Sequence, residues 1–487
     1  MSVGINRDEH QHVAAGVLWA RHSLIPYRDY PWFHTPYLPF IYGWMFRLVD
    51  HPLLIARGFS VLCASLTAGL LFAVAWESLA DGSRKPRLLL AISAVLLFVS
   101  PPIFTYGLGR AWNQEPSVLL AFIAVLLVAN RSDSKQSLWH GLGSGFALGI
   151  GIGLRITVAP LIAPLGGAML TNVGVEEQKR RWWTAGAFSI GLSVALLPVL
   201  ILCLCAPQSA HFGLIGFPKV NLDYLRLVRN SAGVGFIERL RYVVTEIFPR
   251  MAVILILLVS TLLFSLRHKL KAGCRKLGLV FIILPFLLMG SLAPTPCYIQ
   301  YFYVEEPFLI LGLIYGISKW RGDAQIIDRL VTGIFLVTVL SLLFTYRPYI
   351  RGSRVLFQTS RWEAVAVHRT GQDLKALVGQ GRILTLDPIF PLEGGLDIYP
   401  AFTSGVFAWR VGPFVPPTTR QEIGLVAPAD LASVLDREPP GAILLGNEHH
   451  YEEFLQSYVR GYGYRLTMLQ NVPNALQVWL PPITTKP

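Results

Sequence analysis

The chain has 487 residues, 53% of them hydrophobic and only 15% charged, with a mean hydropathy of +0.50. A soluble domain carries about a quarter charged residues, and apolar runs here approach or exceed the roughly 18–20 residues that span a bilayer, so composition excludes an ordinary soluble protein. The formal charge of +13 lies mostly in short loops between apolar runs, which marks membrane-topology bias and argues against a nucleic-acid partner.

In chain order, two amphipathic runs come first, 9–24 and 36–49. The second is too short to span comfortably and carries Arg47 near its end, so it is expected to lie in the interface. About ten candidate spans follow, at 53–78, 87–104, 115–130, 138–153, 155–171, 183–206, 251–266, 277–293, 300–318 and 327–346. The short pair from 138 to 171 could form a tight or re-entrant hairpin. The loops 82–87, 130–135, 178–181, 267–276 and 318–329 are short and basic, and they fall on every second connection. The positive-inside rule makes them cytoplasmic. Residues 1–52 and everything after 346 are then expected outside the cytoplasmic membrane. An external N-terminus with no signal sequence ahead of it raises the expectation of a further transmembrane helix upstream.

Beyond residue 350 the composition changes. A helical run at 361–380 precedes strand-like 382–390, 441–447 and 475–480, which alternate with helical 428–436 and 449–460. The expected architecture is a polytopic α-helical membrane domain, 1–350, followed by a small extracytoplasmic α/β domain, 351–487. Only Cys297 of the five cysteines reads as external, so no disulfide framework is expected.

Two motifs dissolve on inspection. In "GLGSGFALGIGIG" (141–153) glycines recur every four residues inside an apolar run with no strand before them. That is a close helix-packing pattern, not a nucleotide loop. "NEHHYEE" (447–453) lacks the spacing of a metalloprotease and reads as the start of a helix.

The chemistry-bearing cluster is Asp8, Glu9, His10 and His12. Asp8 with Gln11 three residues on forms a fair capping box. Asp8 and His12, four apart on one helical face, could share a metal, though no third ligand is visible. The third reading is an acid–base site, because a loop rich in Pro and aromatic residues follows (21–43) and would floor an interfacial active site. The Arg28–Asp29 pair lies in that loop. These readings stay open on local grounds.

The order "DEHQHVAAGVLWARHSLIPYRDYPWFHTPYLPFIYG" resembles the first external loop of GT-C glycosyltransferases, polytopic enzymes that take sugar from a polyprenyl-phosphate donor. "TYGLGRAWNQEPSVLLAF" (105–122) and "QYFYVEEPFLILG" (300–312) resemble their second external loop and the lead-in to a late helix. The resemblance implies Asp8 as general base toward the acceptor hydroxyl and Glu9 as its positioning partner. The leaving polyprenyl phosphate needs cations, for which Arg28, Arg110 and Arg155 are candidates. Arg155 leads, since an arginine inside an apolar hairpin is costly; its alternative is a snorkelling anchor. Asn113 and Glu115 could supply a polar wall, with metal dependence left open. Glu305 and Glu306 beside Tyr301 and Tyr303 could mark the acceptor or lipid groove, and His34 is a further candidate. The expected function is transfer of a sugar from a polyprenyl-phosphate donor to a cell-envelope acceptor among membrane lipids. The alternative is a transporter or lipid flippase, although no acid sits mid-span and no paired broken helices are apparent.

Overall fold

The computed structural model describes residues 4–80, 83–130, 136–171, 177–228, 235–267, 275–318, 324–345, 347–469 and 476–482. The centres of the basic loops, at 131–135, 268–274 and 319–323, lie outside these residues.

The ten expected spans are mainly helical where described, with breaks at Ser100–Pro101 and at Arg155. Among the described residues, four helices are long and apolar enough to cross a membrane by length and composition: Pro52–Ser78 (α3), Arg181–Cys205, Arg275–Leu292 and Ala324–Thr345. Their outward residues are apolar. Ile190, Val194, Leu197, Ile201 and Leu204 are exposed at alternating steps of four and three along one helix face, the stripe that hydrocarbon covers without cost. Phe236–Arg250 meets Ala252–Phe264 at 86°, a sharp bend at Met251.

The glycine repeat does what its spacing implies. Helices Gln136–Leu154 and Glu177–Cys205 lie so close that a Cβ on Gly145 would sit 1.9 Å from the Phe188 carbonyl oxygen, and one on Gly191 2.1 Å from that of Leu142. The first of these helices stops at Leu154, Arg155 takes an extended conformation, and a 3-10 turn Ile156–Leu161 leads into Ile162–Leu170. The hairpin from 138 to 171 is thus broken at its arginine.

Helix α1 (Arg7–His22) is buried from Glu9 to Leu18, far more deeply than an interfacial helix. It packs on α2 (Tyr37–Phe46), where an added Cβ on Gly43 would lie 2.8 Å from the Gly16 carbonyl oxygen. Its other flank enters the C-terminal part: Val13, Val17 and Leu18 share one hydrophobic cluster with Ile389, Leu392, Ile398, Leu444 and Val478.

The C-terminal part carries a five-stranded sheet of order β2-β1-β3-β5-β4. Its strands are β1 (Arg382–Thr385), β2 (Asp397–Ile398), β3 (Ala442–Leu445), β4 (Arg465–Met468) and β5 (Gln477–Leu480). β2, β1 and β3 are parallel, whereas β5 runs antiparallel to β3 and β4 to β5. β3 is buried at every residue, as a central strand covered on both faces should be. The strand expected at 382–390 ends at Thr385, because Asp387–Pro388 turns the chain into a short helix, Ile389–Glu393.

Candidate functional site

Asn6, not Asp8, caps α1. Its side chain accepts from the Asp8 backbone N–H at 2.9 Å, while Glu9 closes the box by accepting the Asn6 N–H at 2.9 Å. The capping box is therefore shifted two residues from the Asp8–Gln11 reading, and Asp8 is released from that duty. Gln11 approaches Asp8 only at 3.4 Å.

Glu9 is fully committed. Its carboxylate takes two 2.8 Å bonds from the guanidinium of Arg57 and one of 2.7 Å from the Ala111 N–H, with both side chains of the ion pair wholly buried. Arg57, in the second turn of α3, is a residue sequence reading passed over. The signal was available: an arginine in an apolar run, the same argument that singled out Arg155. Glu9 thus ties α1 to α3 and to the 107–113 loop, fixing where Asp8 stands.

Asp8 is half-buried, and among the described residues it forms no ion pair. Arg155, Arg410 and Arg110 surround it at electrostatic range. Burial raises its carboxyl above the ordinary value of 3.8, and those three cations oppose the rise. Arg155 is held from three sides: its Nε donates to Thr157 Oγ1 (2.8 Å), its Nη1 to Asn113 Oδ1 (3.0 Å), and its guanidinium lies 4.9 Å from the Tyr301 ring centre. Asn113 is itself anchored on the Leu154 carbonyl at 2.9 Å. Glu115 and Glu305, both buried, also feel the Arg155 charge. Arg110 is held over Tyr106 and Trp112, its Nε donating to the Tyr106 carbonyl.

His34 joins this group. Tyr27, in a left-handed conformation at φ 68°, donates its hydroxyl to the His34 carbonyl, and the His34 ring lies 5.0 Å from that of His12. Burial, with Arg155 adding to it, lowers the His34 imidazole to about 4, so it is neutral at physiological pH. Arg28 and Asp29 do not join. They pair with each other at 2.8–2.9 Å, Asp29 also caps the Ile25 N–H, and no tie to Asp8 or Arg155 appears among the described residues. Nor do Asp8 and His12 gather a third metal ligand among the described residues.

The C-terminal part supplies the residue no local pattern could reveal. Arg410 donates to Asn221 Oδ1 at 2.7 Å, stacks over Tyr224 and Phe407, and projects its field onto Asp8. The same side of α1 is clamped by Arg7, which donates to both oxygens of Glu448 at 2.5 and 2.6 Å. "NEHHYEE" is thus mainly a docking loop, and its helix begins only at Glu453. Asp8 therefore sits among arginines drawn from three distant segments.

The helical bundle and the C-terminal sheet together share their fold with a solved structure, ArnT. The chain superposes over 99% of its length on 94% of ArnT from Cupriavidus metallidurans bound to undecaprenyl phosphate, with a TM-score of 0.59 at 10% identity. On the apo state of that protein it covers 98% and 93%, with a TM-score of 0.57 at 9% identity. No protein-family model and no curated protein sequence matches the chain.

Proposed function

We propose that the chain is an inverting membrane glycosyltransferase. It would move a sugar from a polyprenyl-phosphate-linked donor to a cell-envelope lipid, glycan or protein acceptor on the outer face of the cytoplasmic membrane. The observation that carries this reading is the carboxylate of Asp8, which forms no ion pair among the described residues and lies within electrostatic range of Arg110, Arg155 and Arg410. A base must be free to take a proton, whereas a departing phosphate needs fixed cations nearby. The ArnT structure that shares this fold holds undecaprenyl phosphate, which supports the donor class.

In the proposed step, an acceptor hydroxyl attacks the anomeric carbon from the face opposite the phosphate. Its proton passes to Asp8 Oδ as the new C–O bond forms. The bond from the anomeric carbon to the phosphate oxygen breaks, and its electron pair leaves with the polyprenyl phosphate, which Arg155 and Arg410 hold. Burial favours this assignment because a carboxylate with raised proton affinity is a stronger base.

The test is Asp8→Asn in purified, liposome-reconstituted protein supplied with a labelled polyprenyl-phosphate sugar and an envelope-lipid extract. Transfer should fall by about 10²–10⁴-fold with an unchanged melting temperature. Full transfer by the variant, or lipid movement with no sugar transferred by the parent, would overturn the assignment.

A further inference from the structure

We propose that His51, His368 and Glu393 form a binding site for a divalent transition metal, Zn²⁺ by ligand chemistry, that clamps the C-terminal part onto the start of α3. The three residues come from distant segments: His51 directly precedes α3, His368 lies in helix Glu363–Val378, and Glu393 ends helix Ile389–Glu393. Each offers one ligand atom, and these atoms all lie within 4.8 Å of one another. The two imidazole centroids are 3.9 Å apart, and His368 Nδ1 is 2.8 Å from Glu393 Oε2.

Two imidazoles and one carboxylate are a set that Zn²⁺ takes in tetrahedral geometry. Bond lengths of about 2.0–2.2 Å place tetrahedral ligands roughly 3.3 Å apart, so the His368–Glu393 contact has only to open by about 0.5 Å. The carboxylate is also supported from behind, as metal-bound carboxylates are. Glu393 is 2% exposed, and its other oxygen accepts the Leu53 N–H at 2.5 Å. Water, or the exposed Asp50 beside His51, completes the shell. A plain His–Glu ion pair would account for His368 and Glu393 but gives His51 no part, and His51 is where the two accounts separate. The site lies apart from Asp8 and does not depend on the glycosyltransferase reading. It fixes the end of α3 six residues ahead of Arg57, the partner of Glu9.

The experiment uses the full chain purified without a polyhistidine tag, stripped with chelator and dialysed against Zn²⁺ or Co²⁺. Wild type should retain about one ion per chain, and the Co²⁺ form should show the visible absorption of a tetrahedral centre. With free Zn²⁺ a hundredfold above Kd, the melting temperature should rise by about 3 °C or more. His51→Ala and His368→Ala should each abolish the retained ion and the rise, while Asp8→Asn keeps both. Because His51 is partly exposed, His51→Ala should melt near the metal-free parent, which separates ligand loss from misfolding. Equal metal retention by parent and His51→Ala, or none by the parent, would overturn the site.

Discussion

At Glu9 and Arg57 the two charges are both out of water and compensate one another directly. Such a pair is weak evidence of net stabilisation, but removing one partner strands the other and costs about 3–5 kcal/mol. Arg57→Met should therefore lower the melting temperature sharply in detergent, and adding Glu9→Gln should recover part of the loss. An additive result would show that the two do not act as a pair. Asp8, one residue away, has the opposite character. Since its proton affinity is raised and the base must be deprotonated, activity should fall as pH drops through a value above 3.8. The local pattern made both acids visible, and only the family resemblance gave Asp8 the base's role and Glu9 the positioning one. Asn6–Glu9 and Asp8–Gln11 are equally acceptable capping boxes, and the choice is made by Arg57 and the Ala111 N–H, which reach Glu9 from other parts of the chain.

At the scale of elements, the apolar runs were legible because a bilayer demands unbroken hydrophobic length, a signal that survives uncertain helix ends. The glycine ladder was legible for a similar reason: backbones in lipid approach closely only where side chains are missing. Gly145→Leu tests that contact directly. The Phe188 carbonyl leaves no room for the new side chain, so the variant should lose folded yield, measured as the monodisperse fraction after solubilisation. Gly167→Leu, where nothing lies within 4 Å, should not. Strand β2 was not legible. Two residues, Asp397–Ile398, carry no periodicity of their own and are extended only because β1 offers an edge to pair with. The deep burial of α1 was not legible either, because its amphipathic pattern says nothing of a second apolar surface arriving from the C-terminal part.

For the whole molecule, the C-terminal part is a wall of the candidate site. Arg410→Ala should lower kcat/KM and, because this cation holds the Asp8 proton affinity down, should move the acidic limb of the pH–rate profile upward. Loss of activity with an unmoved limb would mark Arg410 as merely structural. The arrangement also sets a schedule for synthesis. α1 emerges long before most of its partners: Glu9 meets Arg57 within 48 residues, but His10 waits for the Ile389 N–H, 379 residues later, and Arg7 waits 441 residues for Glu448. At ribosomal speeds this gap is on the order of 20–90 s. α1 is thus made early and completed late, and a partly synthesised chain holds Asp8 without Arg410. On the proposed function, such a chain should stay silent until the segment carrying Arg410 has folded over α1.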